Sequence, residues 1–471
     1  MKIKGSVRFI TLFMLLGLGL SKILFLESCA NIIPPSGGPR DSLPPVLLKA
    51  DPPDSTLNFR GDKITLTFNE YVTLQDVQNN LMFTPTFDVN PQIDARLRTL
   101  TIRLRDTLEP NTTYVFNFGN AVVDNNEANP IRGFDYTFST GPQLDSLEFS
   151  GRVLLAETGQ VDSTLTVILH RNLADSSVVK ERPRYVTRVD RNGTFTFKNL
   201  PPGSFAVYAL GEAGLLRRYQ SNQFFAFANT PVVISDSTKP VTLFAYKETP
   251  RPVQSNLPGA TPKGTKSNTE NRIRFSTNYG TGDQDLLKDL IISFEQPLRT
   301  FDASKISLTR DSIFNSVSYT TSLDSTKKLL TIKTTWMEGS RYNLILDRDF
   351  ADDSSGNKLL KTDTLFFKSK KKSEYGAVSI RFRNIDTVQN PVLQFVQNGI
   401  VVYSSPVKNT FTSSLFLPGE YELRMLHDSN NNGVWDPGQF FRNKRQPERV
   451  TPIERRITIR PAWTNEFEIN L

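Results

Sequence analysis

The sequence is poor in the residues that most active sites are built from. Its 471 residues include one cysteine, two histidines and three tryptophans. A single cysteine closes no internal disulfide. His170 and His427 lie in different halves of the chain, which excludes a His cluster for zinc. No Gly-x-Ser-x-Gly elbow, no His-Glu-x-x-His pair and no cysteine after Cys29 offers a nucleophile or a metal pair. His170 sits in Val167-Ile168-Leu169-His170-Arg171, where a strand-face histidine reads as structural. Gly259-Ala260-Thr261-Pro262-Lys263-Gly264-Thr265-Lys266 falls short of a phosphate loop. Thr265 and Lys266 are in the wrong order, and no apolar strand leads in. What remains for catalysis is a carboxylate pair assembled by folding.

Long apolar runs are also missing after the first 26 residues, and few stretches carry a helical period. The formal net charge is +8. Lys2, Lys4, Arg8 and Lys22 lie in the opening segment and leave with it if it is cleaved. That balance is too small to argue for a nucleic-acid partner. The bases Lys368 and Lys370-Lys371-Lys372 read as solvated linker, with acidic lipid or glycan as the other reading.

What is present begins with an export signal over residues 1–28. A basic start is followed by the apolar run Phe9–Leu20, then Ser21-Lys22 and Ile23-Leu24-Phe25-Leu26. Leu26-Glu27-Ser28-Cys29 resembles the lipobox of bacterial lipoproteins, with Glu27 where the motif usually has a small residue. The resemblance implies that the Cys29 thiol is diacylated and becomes the new N-terminus. Several acyl chains hold a protein on a bilayer, and residues 29–45 read as a Pro/Gly tether. Two other readings stay open, an uncleaved anchor over Phe9–Leu26 and an incidental thiol.

Thirty-three Phe, thirteen Tyr and twenty-nine Pro point to short strands and turns. Over residues 46–142, Ile64, Leu66 and Phe68 alternate onto one strand face, as do Leu100, Ile102 and Leu104. Tyr114, Phe116 and Phe118 follow, and Phe134–Phe138 closes the unit. Phe68-Asn69-Glu70, Leu108–Tyr114, Val123-Asp124-Asn125 and Tyr136–Thr140 together resemble an SbsA-type bacterial Ig-like domain. Residues 143–248 carry Asp190-Arg191-Asn192-Gly193-Thr194-Phe195-Thr196-Phe197, a tight turn into an alternating strand, and then Leu200-Pro201-Pro202-Gly203. This unit resembles the transthyretin-like, carboxypeptidase regulatory-like sandwich.

Residues 249–271, rich in Pro, Gly and Ser, read as a hinge. Beyond it the pattern repeats. In residues 272–372, Leu290–Gln296 answers Leu66–Glu70 and Trp336–Tyr342 answers Leu108–Tyr114. Ala351-Asp352-Asp353 answers Val123-Asp124-Asn125, so Tyr and Asp recur at one offset. Residues 373–471 repeat the second unit through Leu415–Leu423. The expected fold is all-β, four tandem sandwiches in an AB-hinge-AB order, with each half able to fold alone.

One constellation has ligand spacing. In Asp428-Ser429-Asn430-Asn431-Asn432-Gly433-Val434-Trp435-Asp436-Pro437-Gly438-Gln439, oxygen donors fall at Asp428, Asn430, Asn432 and Asp436. The Val434 carbonyl is at the seventh position, and Gly433 at the sixth allows the sharp turn of a calcium loop. Gln439 replaces the usual bidentate Glu, and the segment before the loop reads as strand. Calcium and a plain Asn/Gly turn both remain open. The corresponding place in the second unit, Gly211-Glu212-Ala213-Gly214, lacks the pattern.

The whole arrangement resembles Ig-like-domain lipoproteins of Gram-negative envelopes. That implies a non-catalytic outer-membrane lipoprotein, acting as scaffold or adhesion-like module for an envelope protein or glycan. The alternative is a glycan-active enzyme or accessory subunit. It would need exposed aromatics beside carboxylates, with Trp336, Trp435 and Trp463 as the candidates.

Overall fold

The computed structural model describes residues 41–211, 217–248, 272–280, 282–441 and 443–471. Cys29 with the whole export signal, most of the tether, the hinge at 249–271 and residues 212–214 lie outside them. The described residues are strands and turns, with only two four-residue helical turns, Val77–Asn80 and Ser177–Lys180, and three 3-10 turns. The fold is all-β.

Four cores follow one another along the chain. In the first, Lys63–Phe68 pairs antiparallel with Leu47–Asp51 and with Thr99–Arg103, which pairs in turn with Gln92–Arg96. The facing sheet is built on Thr113–Gly119, flanked by Met82–Thr84 and Phe134–Ser139. Alternation explains both sheets, since every second residue of a strand points the same way. Ile64, Leu66, Phe68, Leu100, Ile102, Phe116 and Phe118 are fully buried, and Tyr114 nearly so. The third core repeats this order. Leu290–Phe294 lies between Phe275–Thr277 and Leu329–Lys333, opposite a sheet built on Arg341–Leu346.

The second and fourth cores share a rarer feature. Leu147–Leu155 pairs antiparallel with Thr194–Leu200 on one side and parallel with Val241–Ala245 on the other. Gly376–Arg383 does the same with Thr410–Phe416 and Thr464–Asn470. Gly193 takes φ +80°, as the turn before Phe195 requires, and the Asp190 carboxylate accepts from the N–H groups of Asn192 and Thr194.

The repeat of the first unit in the third needs one correction of register. Tyr114 and Tyr342 are true counterparts: each hydroxyl accepts from the backbone N–H five residues upstream, of Glu109 and of Met337. The acids are displaced by one residue. Asp124 accepts from the N–H groups of residues 126 to 129, and Asp353, not Asp352, does so from Ser355 and Asn357. Asp352 instead turns to the Arg299 guanidinium at 2.6 Å and the Thr300 hydroxyl.

The halves are also not separate bodies. Within the second unit, Thr166–His170 lies between Tyr185–Arg188 and Gly203–Leu210, which pairs on with Phe225–Phe227. This sheet is apolar on both faces. Val167, Leu169, Val207 and Ala209 face the unit's own core. Ile168, Tyr208, Leu210, Phe225 and Phe227 face outward, and an apolar face of that size must be covered. The cover comes from the fourth unit. Between its strands Gly419–His427 and Arg449–Ile459 the chain makes an excursion that seats Phe440 on the second unit. The Phe440 ring lies 4.9 Å from Phe227, 5.2 Å from Phe225 and 5.6 Å from Tyr208 between centroids. Val450 N–H donates to the Ala156 carbonyl at 2.9 Å, Gln446 Nε2 donates to Phe227 O at 3.0 Å, and Lys444 pairs with Asp175 at 2.6 Å.

Candidate functional site

Polar side chains gather in two places. The first is a cleft of about 430 Å³ between the first and second units. Its walls are turns at strand ends. Thr86–Asp88 follows Met82–Thr84, Asp106–Glu109 precedes Thr113–Gly119, His170–Asn172 ends Thr166–His170, and Glu181–Arg184 leads into Tyr185–Arg188. Thr86 N–H donates to the Arg184 carbonyl at 2.9 Å. The Arg184 guanidinium reaches Glu109 at 2.6 Å and that of Arg171 at 3.4 Å, while Arg182 donates to the carbonyls of Phe87 and Asp88. Phe87 and Tyr114 stack at 5.2 Å beneath.

His170 is 1% exposed, and burial pushes its imidazole down to about 4 against the opposing pull of Glu181. It is therefore neutral at pH 7. Thr86 Oγ1 donates to the Pro183 carbonyl. Glu109 of the first unit pairs with Arg171 and Arg184 of the second, so the cleft also joins two sandwiches.

The second place is the loop of ligand spacing. Asp428 is 1% exposed, and its carboxylate accepts from the N–H groups of Asn431 and Asn432 through Oδ1 and of Gly433 through Oδ2. Asp436 Oδ2 accepts from the side-chain amides of Asn430 and Asn432, and Asn432 Oδ1 accepts from Val434 N–H. The loop is thus closed by hydrogen bonds among the same residues that the spacing singles out. Glu448, which no spacing rule indicated, completes it. Its Oε1 accepts from the N–H and hydroxyl of Ser429, its Oε2 from Asp436 N–H, and its carbonyl from Trp435 Nε1 at 2.8 Å. Among the described residues no three His, Cys, Asp or Glu side chains gather as a metal group. The oxygen set would be Asp428, Asn430, Asn432, the Val434 carbonyl and Asp436, which suits a hard cation held weakly.

The three tryptophans lie in different places. Trp336 is in the third core, with Nε1 donating to Lys288 O, and Trp435 packs beneath the excursion. Trp463 is exposed, with Arg460 over its ring at 5.5 Å, away from the cleft. Among the described residues no helix is long and apolar enough to cross a membrane.

Residues 41–140 match the bacterial Ig-like domain family. That span coincides with the first sandwich, from the approach to Leu47–Asp51 to the end of Phe134–Ser139. A comparison with curated proteins returns no match. Among solved structures the chain is similar to BcpA, the major pilin subunit of Bacillus cereus. There the identity is 9% over 69% of this chain and 99% of that one, with a TM-score of 0.17. The BSP domain of a biofilm-associated protein gives 10% identity over 91% and 99%, with a TM-score of 0.16. Domains 1–6 of the surface-layer protein SbsC give 10% over 91% and 55%, with a TM-score of 0.15. At such TM-scores the likenesses carry no argument about this chain.

Proposed function

We propose that the protein is a non-catalytic envelope lipoprotein, a stiff scaffold of four sandwiches in which SbsA-type Ig-like and transthyretin-like units alternate. It is held on the outer membrane by lipid on Cys29 and presents its sheets to an envelope protein or glycan. The observation that carries this reading is the seating of Phe440 on the second unit, together with the ion-paired joint of Glu109, Arg171 and Arg184. Residues that a catalyst would spend on a substrate are spent here on fixing one sandwich against the next. The glycan-active alternative is weakened by the tryptophans, since none lies in the cleft.

A lipid anchor predicts that Cys29→Ser leaves an unprocessed precursor that takes up no labelled palmitate. Normal labelling of that variant would remove the lipoprotein reading. Crosslinking in intact envelopes would then identify the partner. The Asp428–Asp436 loop is proposed as a weak calcium site that firms the excursion carrying Phe440.

A further inference from the structure

The cleft between the first and second units keeps polar atoms that its ion pairs leave unused. Its volume of about 430 Å³ falls within the range of small-ligand pockets, about 300–1,000 Å³. Three of its acids have oxygens to spare. Glu109 takes both Arg171 and Arg184 on Oε2, and Glu181 takes the Asn172 amide on Oε1. Among the described residues Glu109 Oε1 and Glu181 Oε2 are left without a partner, as is the whole Asp88 carboxylate. The fourth acid, Asp106, is spent on the N–H groups of Asp88, Val89 and Thr107.

Donors are left over as well. The Arg171 guanidinium makes a single hydrogen bond, at 3.4 Å to Glu109. Arg184 Nε and His170 Nε2 are buried and meet no partner among the described residues, and both residues line the cleft. Buried polar atoms are almost always paired, so such atoms mark a place where a bound molecule or water completes the set.

The mixture of signs selects what fits. A simple anion would meet the Asp88 and Glu181 carboxylates, and a simple cation the Arg171 and Arg184 guanidiniums. Like charges brought together are strongly opposed. A hydroxyl group both donates and accepts, so a molecule with several of them serves carboxylates and guanidiniums alike. Phe87 and Tyr114 stack on each other beneath the cleft and are buried, so recognition rests on hydrogen bonds.

We propose that the cleft binds a neutral saccharide, whose hydroxyls donate to Asp88, Glu109 Oε1 and Glu181 Oε2 and accept from Arg171 and Arg184 Nε. The inference rests on the reading of the protein as a non-catalytic scaffold for an envelope partner, and names a glycan as that partner. Asp88 and Glu109 belong to the first unit, while Arg171, Glu181 and Arg184 belong to the second. A bound sugar therefore bridges the joint and stabilises the two units together.

The test places the full-length protein on an array of neutral hexose and N-acetylhexosamine oligosaccharides, with uronate, sulfated and amino sugars beside them. Neutral sugars bind, and the tightest is titrated by calorimetry. Asp88→Ala lowers that affinity by at least about tenfold, the loss of hydrogen bonds to a charged group. Its melting temperature without sugar is unchanged, because no bond from that carboxylate holds the fold. Glu181→Gln, which keeps an acceptor for Asn172, also weakens binding. Trp463→Ala, on an exposed ring away from the cleft, leaves it as it was. No binding to any sugar would mean that the cleft holds water only, and binding confined to charged sugars would remove the neutral ligand. Either result overturns the inference, as does wild-type affinity in both Asp88→Ala and Glu181→Gln, or loss of binding in Trp463→Ala. The scaffold reading fails by a different sign: release of shorter sugars from the bound oligosaccharide would show catalysis and leave the binding site standing.

Discussion

Phe440 and Tyr208 meet edge to face with 5.6 Å between ring centroids, although 232 positions and a Pro-rich segment separate them in the chain. Tyr208 belongs to the second unit and Phe440 to the fourth, so the contact fastens the two halves of the repeat together. Such pairs contribute about 0.5–1.5 kcal/mol beyond the area they bury. Phe440 makes the contact with Phe225 and Phe227 as well, and is 3% exposed.

His170 should give the second unit an acid-sensitive stability. Burial lowers its pKa to about 4, so between that value and the ordinary 6.5 the unfolded chain binds the proton and the fold does not. Stability is therefore full above about pH 6.5 and falls as pH drops towards 4, by about 2–3 kcal/mol. Urea unfolding of the wild type and of His170→Gln across this range should show the slope in the first and a flatter line in the second. Parallel lines would mean that the imidazole stays protonated in the fold.

The Asp428 loop separates two effects. Removing the carboxylate leaves the N–H groups of Asn431 and Gly433 without their acceptor, while that of Asn432 keeps Asn430 Oδ1, so Asp428→Ala should destabilise the fourth unit by about 1–3 kcal/mol with no ion present. If calcium also binds, millimolar calcium should raise the melting temperature of the wild type and leave Asp428→Ala unmoved, because a ligand of the folded state stabilises it by mass action. Magnesium should do less. A wild-type melt indifferent to calcium would reduce the loop to a hydrogen-bonded turn.

Gly159 should be sensitive for a reason outside its own unit. Its φ is +69°, and a Cβ there would stand 2.4 Å from Pro452 Cδ and 2.5 Å from Val450 O, both in the fourth unit. Gly159→Ala should loosen the contact between halves by about 1–3 kcal/mol through strain and overlap while sparing every core. Hydrogen exchange at Val450, whose N–H donates to Ala156 O, should speed up in the variant. Unchanged exchange would show that the loop around Gly159 yields freely.

The cores were legible because they obey a period of two. Ile64, Leu66, Phe68, Tyr114, Phe116, Phe118, Phe195 and Phe197 all point inward as alternation demands. The tyrosine repeat is equally plain, whereas the sequence pattern places the acid repeat one residue early, since Asp352 and Asp353 are adjacent and only backbone geometry tells them apart. The contact between halves left a weaker trace. Phe205-Ala206-Val207-Tyr208-Ala209-Leu210 is apolar at every position and so is buried on both faces, but nothing in it names the element that covers the second face. Phe440 and Glu448 sit in an excursion without period, and their partners are set by folding alone. Signal and tether, with Cys29, rest on the sequence pattern.

Phe440 and its neighbours hold the two halves as one body. A specific protease site placed within residues 249–271 allows the connection to be cut in the native protein, followed by gel filtration. The fragments should stay together in the wild type and separate after Phe440→Ala, a truncation that costs about 3–5 kcal/mol at a buried aromatic. Wild-type fragments that part as soon as the connection is cut would contradict the account.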